Sequence, residues 1–205
     1  MSIVLYHHPF SRAANVVWML EEVGAPYELH FVDIRKGEQK SAELTQLNPM
    51  GKIPVLTDGD AVVSESAAIA LYLADRYAYG TLAPKLDDPH RGAYLRWTLF
   101  GPSVVEPACA AKLGNWDAKP SSVGWGSYDE MVQTMERALT GHDYVTGDAF
   151  TMADVVFGGT LRFMTMFKMV EATPTFAGYL DRISARPAAQ RADAKNTAVR
   201  EAHGL

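Results

Sequence analysis

The stretch Ile53-Pro54-Val55-Leu56-Thr57-Asp58-Gly59-Asp60-Ala61-Val62-Val63-Ser64-Glu65-Ser66 joins two short apolar runs through Asp-Gly-Asp and ends where helical spacing begins. Residues 53–57 and 61–63 read as strands. The segment between them is a hairpin signal, because a tight reversal needs residues that tolerate positive φ. From residue 67 to 77 the period becomes helical, with Ile69, Tyr72 and Leu73 on one side. Towards the N-terminus, residues 38–47 form a short polar helix and residues 27–32 alternate like a strand. Residues 2–6 are an apolar run of strand length, followed by turn-prone residues around Pro9. A helix starts at Arg12, with Val16, Val17, Leu20 and Val23 on one face, Glu21 and Glu22 facing elsewhere, and Gly24 as its stop. The order is βαβαββα, which a small mixed sheet with helices on both faces satisfies economically.

Residues 80–89 are rich in Gly, Pro and Asp and interrupt the periodicity. A linker is placed at 80–88, separating a domain at 1–79 from one at 89–205. Beyond it the strand signals vanish, and residues 91–113, 128–139, 152–168 and 176–186 read as helices. The fold class is therefore α+β in two domains, the second all-α. Thr151 and Asp154 have capping-box spacing, with Phe150 and Val155 placed for a hydrophobic staple, so this segment reads as a folding element and not as a catalytic acid.

The 205 residues are 48% hydrophobic and 21% charged, with a net charge of -5, which excludes wholesale disorder and gives no basic footprint for nucleic acid. One cysteine, Cys109, excludes an internal disulfide, a Cys-x-x-Cys pair and a Cys-rich zinc site. It lies among Ala and Val, as a buried inert thiol would. No run approaches a membrane span, and no export signal is visible, so a cytoplasmic protein is expected.

Three segments of the first domain can converge on one end of the sheet. In Tyr6-His-His-Pro-Phe-Ser11-Arg12, Ser11 stands where a helix begins, either as its cap or as a hydroxyl beside free backbone N–H groups. In Asn48-Pro-Met-Gly-Lys-Ile-Pro54, the proline opens a strand or sits in a cis turn. A cis bond would let Ile53 pair with an extended peptide, and Lys52 is a surface lysine or a cation for a carboxylate. In Ser64-Glu-Ser66, Ser66 caps a helix or offers its hydroxyl and N–H to a carboxylate, with Glu65 suited to an ammonium. Together they describe a site for a small extended peptide with two carboxylates, one ammonium and a group presented to Ser11.

These motifs resemble those of the cytosolic glutathione transferases. Asn48-Pro-x-Gly-Lys-Ile-Pro-Val-Leu56 and Ser64-Glu-Ser-x-Ala-Ile69 are similar to the two glutathione-site motifs of that family. Leu5-Tyr…Pro9-Phe-Ser-Arg12…Trp18-x-Leu-Glu-Glu-x-Gly24 resembles the serine-type, theta-like or related bacterial members, and Phe150-Thr-x-Ala-Asp154 is also a family feature. The resemblance implies a thioredoxin-like first domain and a helical second one. It implies glutathione as co-substrate, no metal, and conjugation of the thiol to a hydrophobic electrophile, with hydroperoxide reduction as an accessory activity. A non-catalytic glutathione- or ligand-binding protein on the same fold is the alternative.

Carried over residue by residue, the resemblance makes Ser11 the hydroxyl that bonds the sulfur, with Tyr6 as the alternative. Ile53, before cis Pro54, would bind the cysteinyl backbone, Glu65 and Ser66 the γ-glutamyl end, and Lys52 and Gln39 the glycyl carboxylate. Phe10, Trp97, Phe100, Trp116 and Phe163 are candidate walls for the electrophile, each of which could equally pack a core. His7 and His8 match no family ligand and are expected at the surface or sheet edge. The resemblance also implies a two-fold homodimer, with no nucleic-acid or membrane partner.

Overall fold

A computed structural model describes residues 3–205, so the expected start of the first strand at Ser2 lies outside the described residues. The described residues pack as two units, residues 3–78 with 186–205, and residues 79–185.

The first unit carries β1 (Ile3–His7), α1 (Ala13–Val23), β2 (Tyr27–Phe31), α2 (Ala42–Leu47), β3 (Val55–Asp58), β4 (Ala61–Ser64), α3 (Ser66–Tyr77) and α9 (Pro187–Ala202). Its four strands lie in the order β2-β1-β3-β4, with β1 parallel to β2 and antiparallel to β3, and β3 antiparallel to β4. Asp58 pairs with Ala61, so Gly59 and Asp60 form a two-residue hairpin, with Gly59 at φ 61°. Gly24 ends α1 in the left-handed conformation, its N–H on the Leu20 carbonyl at 3.0 Å. The polar helix expected at 38–47 is split. A 3-10 turn at Glu38–Lys40 precedes α2, and Ser41 between them caps α2 by accepting from the Leu44 N–H at 3.3 Å.

Residues 186–205, expected in the helical domain, pack instead on the first. Helix α9 lies on α1 through a stripe of buried alanines, Ala188, Ala189 and Ala192. Glu21 and Glu22, expected to face elsewhere, are the acceptors that hold it. Arg186 grips Glu22 with two bonds at 2.7 and 2.8 Å, and Arg191 and Lys195 each reach Glu21 at 2.7 Å. Glu21 and Glu22 side chains are only 9% and 5% exposed, so α9 has converted a polar face of α1 into an interface.

The second unit holds α4 (Arg91–Phe100), α5 (Glu106–Leu113), α6 (Tyr128–Leu139), α7 (Met152–Met166) and α8 (Pro174–Ser184). The single helix expected over 91–113 is interrupted at Gly101–Val105 by a wider π turn, where the Glu106 N–H reaches the Gly101 carbonyl. Pro102 and Pro107 supply no N–H to the regular ladder, which accounts for the interruption. Helix α7 begins on the expected polar knot. One carboxylate oxygen of buried Asp154 accepts from the Thr151 N–H at 2.9 Å. The other accepts from the Val145 N–H at 2.8 Å and the Tyr179 hydroxyl at 3.0 Å. Cys109 is buried, and burial raises its thiol pKa. No helix among the described residues is long and apolar enough to cross a membrane.

Candidate functional site

The strand register builds the site. Tyr6 pairs with His30 and Val55, and Val55 pairs with Ser64, so these four residues form one row across the sheet. Just beyond that row lie the segment after Phe31, the turn carrying Ser11, the loop ending at Pro54, and the junction at Glu65. All four therefore leave the sheet at the same end. Three inter-strand steps span about 14 Å, against about 10 Å for an extended tripeptide backbone.

Each segment presents polar groups with capacity to spare. The Ile53–Pro54 bond is cis. Among the described residues neither the N–H nor the C=O of Ile53 has a hydrogen-bond partner. Buried Asn48 shapes this loop. Its amide donates to the Lys52 carbonyl at 3.0 Å, and its side-chain oxygen accepts from the Met50 N–H at 3.2 Å. The Ser66 hydroxyl opens α3, buried and without a partner among the described residues, and the Gln39 side-chain oxygen is in the same state. An unmet polar atom costs about 1–3 kcal/mol when buried, so a ligand that meets it recovers that energy. Glu65 precedes α3 at φ 69° and ψ 122°, a strained conformation for an L side chain. Lys52 is exposed.

Ser11 is half-buried. Its hydroxyl donates to the His8 carbonyl at 2.8 Å and accepts from the Ala13 N–H at 3.1 Å, the first residue of α1. Oγ is thus polarised by a helix N-terminus, and rotation about Cβ–Oγ would turn its proton from His8 to a ligand. Tyr6 sits half-buried within the strand, its ring 4.9 Å from that of His30. Burial, with the charge of Glu43, raises its pKa.

His7 and His8 are not surface residues. Both are fully buried, and burial lowers both imidazole pKa values. The Nδ1 of His8 accepts from the Phe10 N–H at 3.1 Å, while His7 Nε2 lies 2.7 Å from the side-chain oxygen of Asn196 on α9. Helix α9 and the turn each satisfy one ring nitrogen, while His7 Nδ1 and His8 Nε2 are buried without a hydrogen-bond partner among the described residues. Among the described residues no group of three His, Cys, Asp or Glu could hold a metal.

Of the expected apolar walls, Phe10 is 59% exposed in the first unit, and Trp116 and Phe163 are 60% and 44% exposed in the second. Trp97 and Phe100 are buried within the helical unit, their rings 4.8 Å apart and Trp97 edge-on to Phe157 at 5.4 Å. They are core residues there. Lys40 was not expected at the site. Its ammonium donates to the Met50 carbonyl at 2.9 Å, and its side chain crosses Gly51, where a Cβ would lie 2.6 Å from it. The glycine in Pro-x-Gly-Lys was the signal that something must approach this loop closely.

Residues 1–75 match the family model for the glutathione S-transferase N-terminal domain, and residues 102–191 match that for the glutathione S-transferase C-terminal domain. Glutathione S-transferase 1 of Triticum aestivum is 31% identical over 212 residues, covering 92% of both chains. Among the solved structures that the chain resembles are two glutathione transferases. The glutathione transferase URE2P6 from Phanerochaete chrysosporium, in complex with oxidized glutathione, superposes with a TM-score of 0.80 at 26% identity over 97% of each chain. A glutathione transferase from Burkholderia graminis, with two glutathione molecules bound per subunit, gives 0.75 at 27% identity over 93% of this chain and 87% of its own. The similarity spans both units, and this chain belongs to the glutathione S-transferase family.

Proposed function

We propose that this transferase ionises the glutathione thiol through the Ser11 hydroxyl and joins the sulfur to a hydrophobic electrophile. The observation that carries the reading is the shared sheet end at which a polarised serine, an unpaired backbone rung and two unmet polar side chains emerge together. An extended glutathione would pair its cysteinyl backbone with Ile53 and bring its sulfur to Ser11. Its γ-glutamyl carboxylate would take the Ser66 hydroxyl and the N–H groups opening α3, with Glu65 on its ammonium. The glycyl carboxylate would lie towards Lys52, Lys40 and Gln39.

The energetics fit a single donor. A free thiol titrates near 8.5, and a shift of about two units, or about 2.7 kcal/mol, makes it mostly thiolate at neutral pH. A hydrogen bond to a charged group contributes about 1.5–3 kcal/mol, and a helix terminus about 0.3–1 more. No protein nucleophile is required. The thiolate attacks the electrophilic carbon, the bond to the leaving group breaks, and the leaving group departs with its electron pair. With an organic hydroperoxide the sulfur would attack the terminal oxygen instead, breaking the O–O bond and releasing the alcohol, and a second glutathione would convert the resulting sulfenic acid to disulfide and water.

The test is the ultraviolet absorbance of bound glutathione thiolate, titrated against pH. Ser11→Ala is expected to raise the thiol pKa by one to two units and cut turnover on a panel of electrophiles and hydroperoxides. An unchanged titration would remove Ser11 and promote Tyr6. Tight glutathione binding with no turnover on the whole panel would leave a binding protein. Phe10, exposed in the first unit, is proposed as an apolar contact for the second substrate. A two-fold homodimer through α3 and α4 is proposed on the family resemblance, supported by exposed Leu95 and Leu99 on α4. Sedimentation at micromolar concentration should give twice the chain mass.

A further inference from the structure

The turn that carries Ser11 is clasped from behind by one side chain of the C-terminal helix. The side-chain amide of Asn196 donates to the Ala14 carbonyl at 3.1 Å, and its oxygen lies 2.7 Å from His7 Nε2. A carbonyl can only accept, so the Ala14 contact fixes which end of the amide faces His7 and puts the imidazole proton on Nε2. His7 is the last residue of β1 and Ala14 lies in the first turn of α1, so Asn196 ties together the two ends of the segment between them. Inside that segment the Ser11 hydroxyl is placed by two bonds, to the carbonyl of His8 and from the N–H of Ala13. Each of those partners is the immediate neighbour of a residue that Asn196 grips. The Ala14 N–H in turn holds the Ser11 carbonyl at 3.0 Å.

Attachment of the helix does not account for this bridge. Helix α9 is already anchored by Arg186 on Glu22, by Arg191 and Lys195 on Glu21, and by His203 stacked on Phe31 at 3.6 Å. Those anchors lie on the later part of α1 and the end of β2. Asn196 instead reaches the opening turn of α1. We propose that Asn196 is a positioning residue for the Ser11 hydroxyl, acting through His7 and Ala14 to fix the spacing between strand end and helix start at which Oγ meets the glutathione sulfur. This rests on the assignment of Ser11 made above. A displacement of order 1 Å at a reacting group is enough to reduce rate by up to about a hundredfold, so one amide is sufficient leverage.

The experiment compares the wild-type protein with Ser11→Ala, Asn196→Ala, Asn196→Asp and Arg191→Ala. Reduced glutathione is the probe, and the readouts are the thiol pKa by thiolate absorbance, kcat and KM for glutathione, and the melting temperature. Asn196→Ala is expected to raise the bound thiol pKa and lower kcat about tenfold. KM for glutathione should change less than about twofold, since the binding groups at Ile53, Glu65 and Ser66 are untouched. Asn196→Asp keeps the acceptor for His7 and loses the donor to Ala14, and provides the same reading where the alanine variant does not fold. Arg191→Ala loosens α9 at Glu21, far from the turn, and should lower the melting temperature with the thiol pKa unmoved. A shifted pKa in Ser11→Ala with none in either Asn196 variant overturns the proposal alone. An unshifted pKa in Ser11→Ala overturns the serine assignment and this proposal with it.

Discussion

At Glu65 the backbone takes φ 69° and ψ 122°, in a region that disfavours any side chain with a Cβ. Such strain amounts to about 1–3 kcal/mol, and it persists where the neighbouring structure enforces it. Here β4 ends at Ser64 and α3 starts at Ser66, so one residue must turn the chain from sheet edge into helix. Glycine would do this with least strain. On the proposed reading, a glutamate there sacrifices stability to set a carboxylate beside the ammonium of glutathione. Glu65→Gly is therefore expected to leave the melting temperature unchanged or to raise it. Glutathione affinity should fall about tenfold or more, the equivalent of a lost hydrogen bond to a charged group. Thermal denaturation beside calorimetric titration checks both halves. A parallel loss of stability and affinity would show that Glu65 is structural.

At the scale of elements, the apolar periodicity and the turn residues predict every strand and most helices, because burial on a sheet or helix face leaves a pattern of fixed period. Helix α9 leaves none. Its buried stripe is alanine, and its remaining hold on α1 is through arginine, lysine and asparagine, residues that read as solvated until a partner is seen. The same blindness hid the environment of His7 and His8, whose partners come from distant chain or from the turn's own backbone. Ser11, Ile53, Pro54, Glu65 and Ser66, the residues proposed to hold glutathione, can be singled out in the sequence because motif and turn chemistry fall within short stretches. Lys40 cannot, since only the fold brings it over Gly51. The capping knot of α7 was legible for the same local reason, and it carries a sharp prediction. Asp154→Ala strands the N–H groups of Val145 and Thr151 in a buried position, leaving both without the acceptor they have now. A destabilisation of about 2–4 kcal/mol is expected. Urea denaturation should show it, with the midpoint lowered and the slope retained.

At the scale of the molecule, the terminal segment closes on the first unit, so its stability depends on the charges in that seam. Burial acts against ionisation of Glu21, but hydrogen bonds from Lys195, Tyr27 and Arg191 outweigh it and lower its pKa from about 4.5 to about 2. A carboxylate whose folded pKa is depressed binds fewer protons folded than unfolded in the interval between the two values. Its stabilisation is complete above about pH 4.5 and is lost progressively as pH falls towards about 2. Arg191 and Lys195 are about half exposed at 54% and 48%, so salt will weaken the effect. The seam at α9 should therefore open in acid before the sheet does. Hydrogen exchange resolved by segment, followed from pH 6 down to 3, is expected to show earlier loss of protection in residues 187–202 than in residues 3–7. Glu21→Gln should lower protection of α9 at pH 6 and flatten its dependence on pH across that interval. Loss of protection in both segments at one pH, with the same profile in Glu21→Gln, would mean that the seam and the sheet unfold as a single unit and that Glu21 does not govern it.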